Sequence, residues 1–224
     1  MQALPAGCPA AAGWGADAAA TAEAEGTDKT TTESATEEDP DTFEKPVTLW
    51  RLDLAAIEKA FKAGAKFFLM CNPQNPVGRM HTRDELRAVA ELAAKYDVLV
   101  ISDEIHAPLT FTEQTFTPFL AISDAAREVG ITITAASKGW NIAGLKCAII
   151  VSGSDAMHEK LNALAYALHF RASIFGAFAT ATAFEKGITW LDTVIKQLDH
   201  NRHLISQLLS EHLPEVIYNP PQHS

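Results

Sequence analysis

Four short segments with the composition of buried strands alternate with amphipathic helical patterns along this chain. The strand segments span residues 66–71, 98–102, 131–135 and 147–152. Strands separated by helices favour an α/β fold, with a mostly parallel sheet and helices on both faces. The link between the last two strands is too short for a comfortable helical crossover, so we expect the last strand to run antiparallel.

Capping signals locate the helices between these strands. Asp53 is placed to cap a helix that ends near Gly64, and Thr82 with Glu85 has the spacing of a capping box. A third helix is predicted over residues 118–129. Three longer helical patterns complete the chain, over residues 154–170, 174–186 and 188–212.

The amino-terminal segment differs in composition from the rest of the chain. Residues 1–46 contain ten acidic and two basic residues and few bulky apolar groups. Such a segment cannot bury enough surface to offset the entropy of ordering. We therefore predict a disordered acidic tail over residues 1–46, an ordered domain over residues 47–218 and a disordered end over residues 219–224.

Charge and composition exclude several classes of partner. The formal net charge of -10 belongs mostly to the acidic tail, and the rest of the chain lacks the basic stripe that nucleic acid or an anionic membrane requires. No apolar run is long enough for a membrane helix, and the first twenty residues lack the Lys or Arg of a signal peptide. Cys8, Cys71 and Cys147 are too far apart for a disulfide scaffold. We expect a cytoplasmic protein without nucleic-acid or membrane partners.

Polar residues follow three of the predicted strands at the point where each strand ends. The segments are residues 72–78, residues 103–106 and residues 136–138. Each alone has an ordinary explanation as a turn, a helix cap or a surface amine. Ligands of open α/β sheets bind beyond the carboxyl ends of the strands. An amide, a carboxylate with an imidazole, and a lysine at one sheet edge therefore predict a binding site.

Three motifs, in this order and spacing, resemble those of a known enzyme family. They are Asn-Pro-Gln-Asn-Pro-Val-Gly at 72–78, Ser-Asp-Glu-Ile-His at 102–106 and Ser-Lys-Gly-Trp-Asn-Ile-Ala-Gly-Leu-Lys at 137–146. The resemblance is to pyridoxal-phosphate enzymes of fold type I (aminotransferase class I/II), and within them to the MalY/PatB branch of cystathionine β-lyases. It implies a partial large domain with the start of the carboxy-terminal helical region, truncated at both ends.

The resemblance implies a role in pyridoxal 5'-phosphate binding for each motif. Lys138 resembles the lysine that holds the cofactor aldehyde as an imine, and Asp103 resembles the carboxylate that pairs with the pyridine nitrogen. Asn75 is similar to the amide that donates a hydrogen bond to the phenolic oxygen of the cofactor.

Three further residues complete the implied cofactor site. His106 falls where related enzymes place a Tyr or His near the same edge of the ring. Ser137 and Lys146 resemble phosphate anchors, one a hydroxyl donor and the other a cation. Many relatives carry Arg where Lys146 stands, and a lysine keeps the charge without the bidentate fork.

The implied activity is that of a carbon-sulfur β-lyase. The resemblance also implies a homodimer whose substrate is an amino acid with a β-sulfur substituent. The products would be a thiol, pyruvate and ammonia. An aminotransferase is an alternative, because both reactions begin with the same proton removal. A non-catalytic interaction protein is another, because the MalY branch includes a member that binds a transcriptional regulator. A metal site from His81, Asp103 and His106 has no recognisable ligand spacing.

Two structural expectations concern apolar surface. A partial sheet is expected to leave an uncovered apolar face, which makes an isolated chain prone to association. Phe175, Phe178 and Phe184 are expected to pack between helices.

Overall fold

The computed structural model describes residues 50–223 and contains one four-stranded sheet. The strands lie in chain order across the sheet. The first three run parallel and the fourth runs antiparallel to the third, as the short link predicted. The predicted mostly parallel α/β fold is therefore confirmed. The strands are β1 (Phe67–Cys71), β2 (Leu99–Asp103), β3 (Gly130–Thr134) and β4 (Ile149–Ser152).

Six α-helices are found among the described residues, and the last two have the predicted bounds. They are α1 (Leu54–Lys62), α2 (Arg83–Tyr96), α3 (Asp124–Val129), α4 (Asp155–Asn162), α5 (Ile174–Lys186) and α6 (Ile188–His212). The predicted acidic tail over residues 1–46 lies outside the described residues.

Two predicted helices are shorter than the patterns indicated. The helix predicted over residues 118–129 is divided, because the Ser123 hydroxyl accepts a hydrogen bond from Ala126 N and starts a new helix there. The helix predicted over residues 154–170 ends at Asn162 and is followed by a 3-10 turn over Tyr166–Phe170. Tyr166 and Phe170 are exposed, so no apolar layer stabilises a continuous helix across this segment.

The predicted helix caps are confirmed. Asp53 Oδ1 accepts a hydrogen bond from Ala56 N at 2.9 Å, and Gly64 follows the helix with a positive φ of 101°. Thr82 and Glu85 form the reciprocal capping box, with each side chain bonded to the backbone N–H of the other residue. These local contacts fix where α1 and α2 begin, and hence which of their faces meets the sheet.

The main core lies between one face of the sheet and helices α1, α2 and α3. Buried side chains from these helices pack against Met70 and Val100, which point to the same face of neighbouring strands. Each large apolar side chain buried there contributes about 1.5–3 kcal/mol to stability. The cluster comprises Ile57, Phe61, Met70, Leu86, Val89, Ala90, Ala93, Val98, Val100, Phe119, Ile122 and Ala126.

The opposite face of the sheet is uncovered at β1. Phe67 and Leu69 alternate with the core-facing residues of that strand, and each is 65% exposed. The expected uncovered apolar face is therefore present. The expectation that the α5 phenylalanines pack between helices is wrong for two of them, because Phe175 is 75% and Phe178 63% exposed. Phe184 does contact Trp140, with ring centroids 5.0 Å apart.

The carboxy-terminal segment is not the disordered end that the sequence predicted. Gln222 N donates to Gly78 O at 2.6 Å, and the Gln222 side chain accepts a hydrogen bond from Met80 N at 2.8 Å. His223 is 2% exposed and is hydrogen-bonded through Nε2 to Gln74 O. The Gln222 side chain thus binds a residue 142 positions earlier in the chain. Such hydrogen bonds take the place of those that a free chain end would make with water. Residue 224 lies outside the described part of the chain.

Arg202 of α6 holds this carboxy-terminal segment in place. Its Nη1 donates to Pro221 O at 2.8 Å, and its guanidinium forms ion pairs with Asp199 and Glu113. The guanidinium also lies over the Phe111 ring, 4.1 Å from the centroid. A planar group with several donors is needed to make these contacts together.

We predict that Arg202→Lys lowers the free energy of unfolding by about 2 kcal/mol, since it loses charge-assisted hydrogen bonds and the contact with the Phe111 ring. Urea unfolding and hydrogen exchange of the Gln222 and His223 amides measure the effect. Arg87→Lys is the matched control, because its exposed pair with Asp84 contributes less than about 0.5 kcal/mol. Equal stability and equal exchange in the two variants would contradict the assigned role of Arg202.

A buried carboxyl group joins the sheet to the segment before α3. Glu104 follows β2 and is 4% exposed, and its Oε1 accepts hydrogen bonds from Ser102 Oγ at 3.0 Å and from Phe119 N at 2.8 Å. Burial raises the pKa of Glu104 from 4.5 to about 7, and these hydrogen bonds offset only part of the cost of burying its charge.

The raised pKa predicts a stability that falls as pH rises. Between about pH 4.5 and 7 the folded carboxyl stays protonated while the unfolded one ionises, so the folded state binds the extra proton. This contribution to the free energy of unfolding is fully present below the pKa of the unfolded state. It is lost as the pH rises through the pKa of the folded state, and the loss is about 3 kcal/mol. Urea unfolding across this range should show the decline in the wild type and its absence in Glu104→Gln. The same dependence of the unfolding free energy on pH in the two proteins would refute this prediction.

Candidate functional site

The three predicted strand exits open at one edge of the sheet. Cys71 is the register partner of Asp103, and Asp103 is the register partner of Ile133. Backbone hydrogen bonds extend the ladder past the strand ends, from Asn72 N to Asp103 O at 2.9 Å and from Glu104 N to Ile133 O at 2.7 Å. The segments that leave β1, β2 and β3 therefore begin side by side.

Asp103 ends β2 on the uncovered face of the sheet. Side chains alternate along a strand, so Asp103 shares its face with Cys71 and with the exposed Phe67 and Leu69. Its Oδ1 accepts a hydrogen bond from Ile105 N at 3.2 Å, which fixes the direction of the carboxylate. Among residues 50–223, no Lys, Arg or His side chain forms a salt bridge with Asp103. The partly buried anion lacks a cation in this part of the chain.

Lys138 lies in a tight turn after β3. The turn is closed by backbone hydrogen bonds from Trp140 N to Ala136 O and from Asn141 N to Lys138 O. Trp140 anchors the turn, because its indole N–H donates to Gly187 O at 2.9 Å. The Lys138 side chain is exposed, and in the described part of the chain no hydrogen bond or ion pair engages its amine.

The segments that follow β2 and β3 are in direct contact. Gly139 lies against Pro108, in the 3-10 turn of residues 107–109 that follows His106. A Cβ atom added at Gly139 would lie only 2.9 Å from Pro108 Cβ, so a larger residue would push the two segments apart. The glycine thus keeps the lysine-bearing turn next to the segment that follows Asp103.

The segment that follows β1 is a closed loop in which Asn75 is exposed to solvent. Gln74 N donates to Arg79 O at 2.8 Å, and Gly78 has a positive φ of 69°. Asn75 is exposed, and its backbone N–H contacts the Cys71 sulfur at 3.4 Å. Both Asn-Pro peptide bonds of the loop are cis. Burial raises the pKa of the Cys71 thiol.

His106, Ser137 and Lys146 occupy different surroundings. The ring of half-buried His106 faces the ring of His223, with centroids 6.0 Å apart. Ser137 is half-buried in the turn that carries Lys138, where its carbonyl accepts from Ile142 N. Lys146 follows another 3-10 turn with a φ of 53°, and its carbonyl accepts from Ser173 N at the start of α5. No described contact joins the Ser137 and Lys146 side chains.

The donor set fits pyridoxal phosphate in its chemistry. The Lys138 amine is exposed and the Asp103 carboxylate is partly buried, and they follow adjacent strands at the same edge of the sheet. Within residues 50–223, the amine has no anionic partner and the carboxylate no cationic one. An aldehyde requires such an amine, and a protonated pyridine nitrogen requires such a carboxylate. Lys138 and Asp103 would hold these two ends of the cofactor.

The metal alternative has no support in the described residues. Within residues 50–223, no group of three His, Cys, Asp or Glu side chains is placed to hold a metal ion. His81 is buried, and its two ring nitrogens contact Cys71 O and the Arg79 guanidinium. Burial lowers the pKa of His81. Its ring is thus occupied by protein contacts.

The sequence interpretation missed the residues behind the site. Glu104 and Asn72 are both buried, and the Asn72 side chain donates to Thr117 O at 3.1 Å. Strand alternation could have identified Glu104, because a residue next to Asp103 must point to the opposite face. No local pattern indicated that His223 would approach His106.

No helix among residues 50–223 is both long and apolar enough to cross a membrane. This finding concerns only the part of the chain that the structure describes.

Comparison with known proteins identifies relatives of this chain. A family model described as aminotransferase class I and II matches residues 41–223. A cystathionine beta-lyase from Corynebacterium glutamicum is 41% identical over 168 residues, which cover 75% of this chain and 45% of the relative. Cystathionine beta-lyase PatB from Bacillus subtilis is 34% identical and is covered over 41% of its length.

Solved structures agree with this comparison. Cystalysin from Treponema denticola, which contains pyridoxal 5'-phosphate, superposes with a TM-score of 0.73 at 28% identity, covering 79% of this chain and 45% of that one. The PLP-bound C-S lyase from Staphylococcus hominis gives a TM-score of 0.70 at 28% identity, covering 79% of this chain and 44% of that one. The chain thus spans less than half of the length of these relatives. It belongs to the aminotransferase class I and II family.

Proposed function

We propose that this chain carries the cofactor-binding core of a pyridoxal-phosphate-dependent carbon-sulfur β-lyase. The observation that carries the proposal is the placement of Lys138 and Asp103 after adjacent parallel strands, where neither side chain forms a salt bridge within residues 50–223. The relatives named as cystathionine beta-lyases support the reaction class.

Each predicted site residue has a task that follows from its chemistry. Lys138 would hold the cofactor through its amine and, after the substrate amine takes its place, would move the α-proton of the substrate. Asp103 would hold a proton on the pyridine nitrogen, because a fixed anion favours the protonated form. When bound, pyridoxal phosphate supplies a ring that accepts the electron pair released at the substrate α-carbon.

The remaining residues would orient the cofactor. Asn75 would donate an amide hydrogen bond to the phenolic oxygen, and His106 would border the same edge of the ring. Ser137 and Lys146 would bind the phosphate as hydroxyl donor and cation. Ser137 lies in the turn that carries Lys138, which supports its part in this set. Lys146 has a free amine among the described residues and is available for an anion.

The proposed substrate is an amino acid with a sulfur substituent on its β-carbon, and the proposed products are a thiol, pyruvate and ammonia. The names of the relatives favour this elimination over transamination. We also propose a homodimer in the cytoplasm. The exposed apolar side chains Phe67, Leu69 and Phe175 support a second protein surface, and the free thiols of Cys71 and Cys147 suit a reducing compartment.

Borohydride trapping tests the cofactor site. Reduction of the protein after incubation with pyridoxal phosphate should attach a phosphopyridoxyl group to Lys138, because the reduced carbon–nitrogen bond is stable. Peptide mass spectrometry locates the group. Lys59→Ala, an exposed lysine on α1, should label like the wild type, whereas Lys138→Ala should lose the label at this peptide. Equal labelling of many lysines, without preference for Lys138, would sink the proposal.

Product analysis separates the lyase from the aminotransferase. Incubation with cystathionine and the cofactor should release thiol and pyruvate in equal amounts. Asp103→Asn should lower the rate about 100-fold, since loss of one partner of a buried charge pair costs about 3 kcal/mol. Keto acid formed from glutamate, without thiol release, would instead identify an aminotransferase.

A further inference from the structure

The Glu104 side chain lies behind the proposed site, on the opposite face of the sheet from Asp103. The two residues are neighbours in the chain, and strand alternation sends one carboxyl to each face. Two donors bind Glu104 Oε1, the Ser102 hydroxyl and the Phe119 N–H, and the Asn72 side-chain amide lies close enough to lower the pKa of the Glu104 carboxyl group. These three groups come from β2, from the segment before α3 and from the β1 exit.

Asn72 connects this buried cluster to the Asp103 backbone. It is 1% exposed, and its backbone N–H donates to Asp103 O at 2.9 Å while its side chain reaches Glu104 and Thr117 O. The Asp103–Glu104 peptide is therefore bound on both sides, because Glu104 N also donates to Ile133 O at 2.7 Å. Rotation of this peptide, which would redirect Asp103, would break the buried contacts.

We propose that Glu104 is a positioning residue that fixes the direction of the Asp103 carboxylate toward the cofactor ring. The proposal rests on the proposed function, since it assigns Asp103 a cofactor to face. A preorganised anion stabilises a cation more strongly than one that must be reoriented, and such anchoring requires supporting hydrogen bonds.

The carboxyl group itself is required by the donor set. A carboxyl group keeps acceptor sites on two oxygens whether or not one of them carries a proton, so it can accept from Ser102 and Phe119 at Oε1 and still offer a second oxygen. A glutamine of the same shape offers one oxygen, and its amide nitrogen accepts nothing. The charged group that acts on Glu104 from its surroundings is Asp103, whose negative charge helps to raise the Glu104 pKa. The other facing groups, Ser102, Asn72 and Phe119 N, are neutral donors.

Thr132 provides a matched control on the same face. It is the register partner of Ser102, it is buried, and its hydroxyl has no hydrogen-bond partner among the described residues. Thr132→Val changes a buried polar atom next to the cluster without removing a contact to Glu104. It tests whether any change in this layer disturbs the site.

The experiment combines one measurement without cofactor and two with it. Hydrogen exchange of the Asn72 and Glu104 amides is measured in the cofactor-free protein. The dissociation constant for pyridoxal phosphate and the pH midpoint of its bound visible absorption band are then measured by titration. The proteins compared are the wild type, Glu104→Gln, Glu104→Asp, Ser102→Ala and Thr132→Val.

We expect Glu104→Gln to exchange the two amides about tenfold faster, to bind the cofactor about tenfold more weakly and to shift the pH midpoint. Such a tenfold change corresponds to about 1.4 kcal/mol, a modest share of a buried hydrogen-bond network. Glu104→Asp should recover part of the affinity, and Ser102→Ala should cause a smaller change in the same direction. Ser102→Ala also provides the test if Glu104→Gln does not fold. Thr132→Val should match the wild type in all three measurements.

The outcomes separate this inference from the proposed function. If the wild type binds no cofactor, the proposed function is refuted. The role of Glu104 in directing Asp103 toward the cofactor is then refuted as well. A wild type that binds cofactor, with Glu104→Gln or Ser102→Ala showing an unchanged pH midpoint and affinity, overturns the role of Glu104 alone. A loss of thermal stability without a change in midpoint identifies a purely structural residue and also overturns it.

Discussion

The in-register parallel pairing of β1, β2 and β3 is the constraint on which the candidate site depends. It aligns Cys71, Asp103 and Ile133 as lateral neighbours, so that three separate chain segments leave the sheet at one edge. Because side chains alternate with a period of two, a slip of one residue in β2 would exchange Asp103 and Glu104 between the faces. The buried hydrogen bond from Phe119 N, which lies outside β2, to the Glu104 carboxyl group opposes such a slip.

Features encoded by local patterns could be predicted from the sequence. The Thr82–Glu85 capping box, the bounds of α5 and α6 and the antiparallel last strand depend on neighbouring residues or on the length of a link. The placement of Asp103 and Lys138 at strand exits also follows from the order of strands and helices. The roles of individual residues toward the cofactor come from family resemblance and stay predictions.

Features that depend on distant contacts could not be predicted. The Met80–Gln222 hydrogen bond joins residues 142 positions apart, and no periodicity records such a pairing. The Ser123 cap divides the longer helix that the apolar pattern favoured, and Phe119, before the cap, is buried in the main core with its N–H bonded to Glu104. The buried side of the site, with Asn72 and Glu104, is likewise defined by neighbours from three different segments.

The uncovered face of β1 bears on the electrostatics of Asp103. Phe67 and Leu69 share that face with the carboxylate, so whatever protein layer shields these two side chains from water also lowers the local dielectric around the acid. Attraction between Asp103 and a nearby cation would strengthen as that layer forms. The attraction of Asp103 for a cation thus depends on the assembled surface, whereas the strand alone determines only where the carboxylate lies.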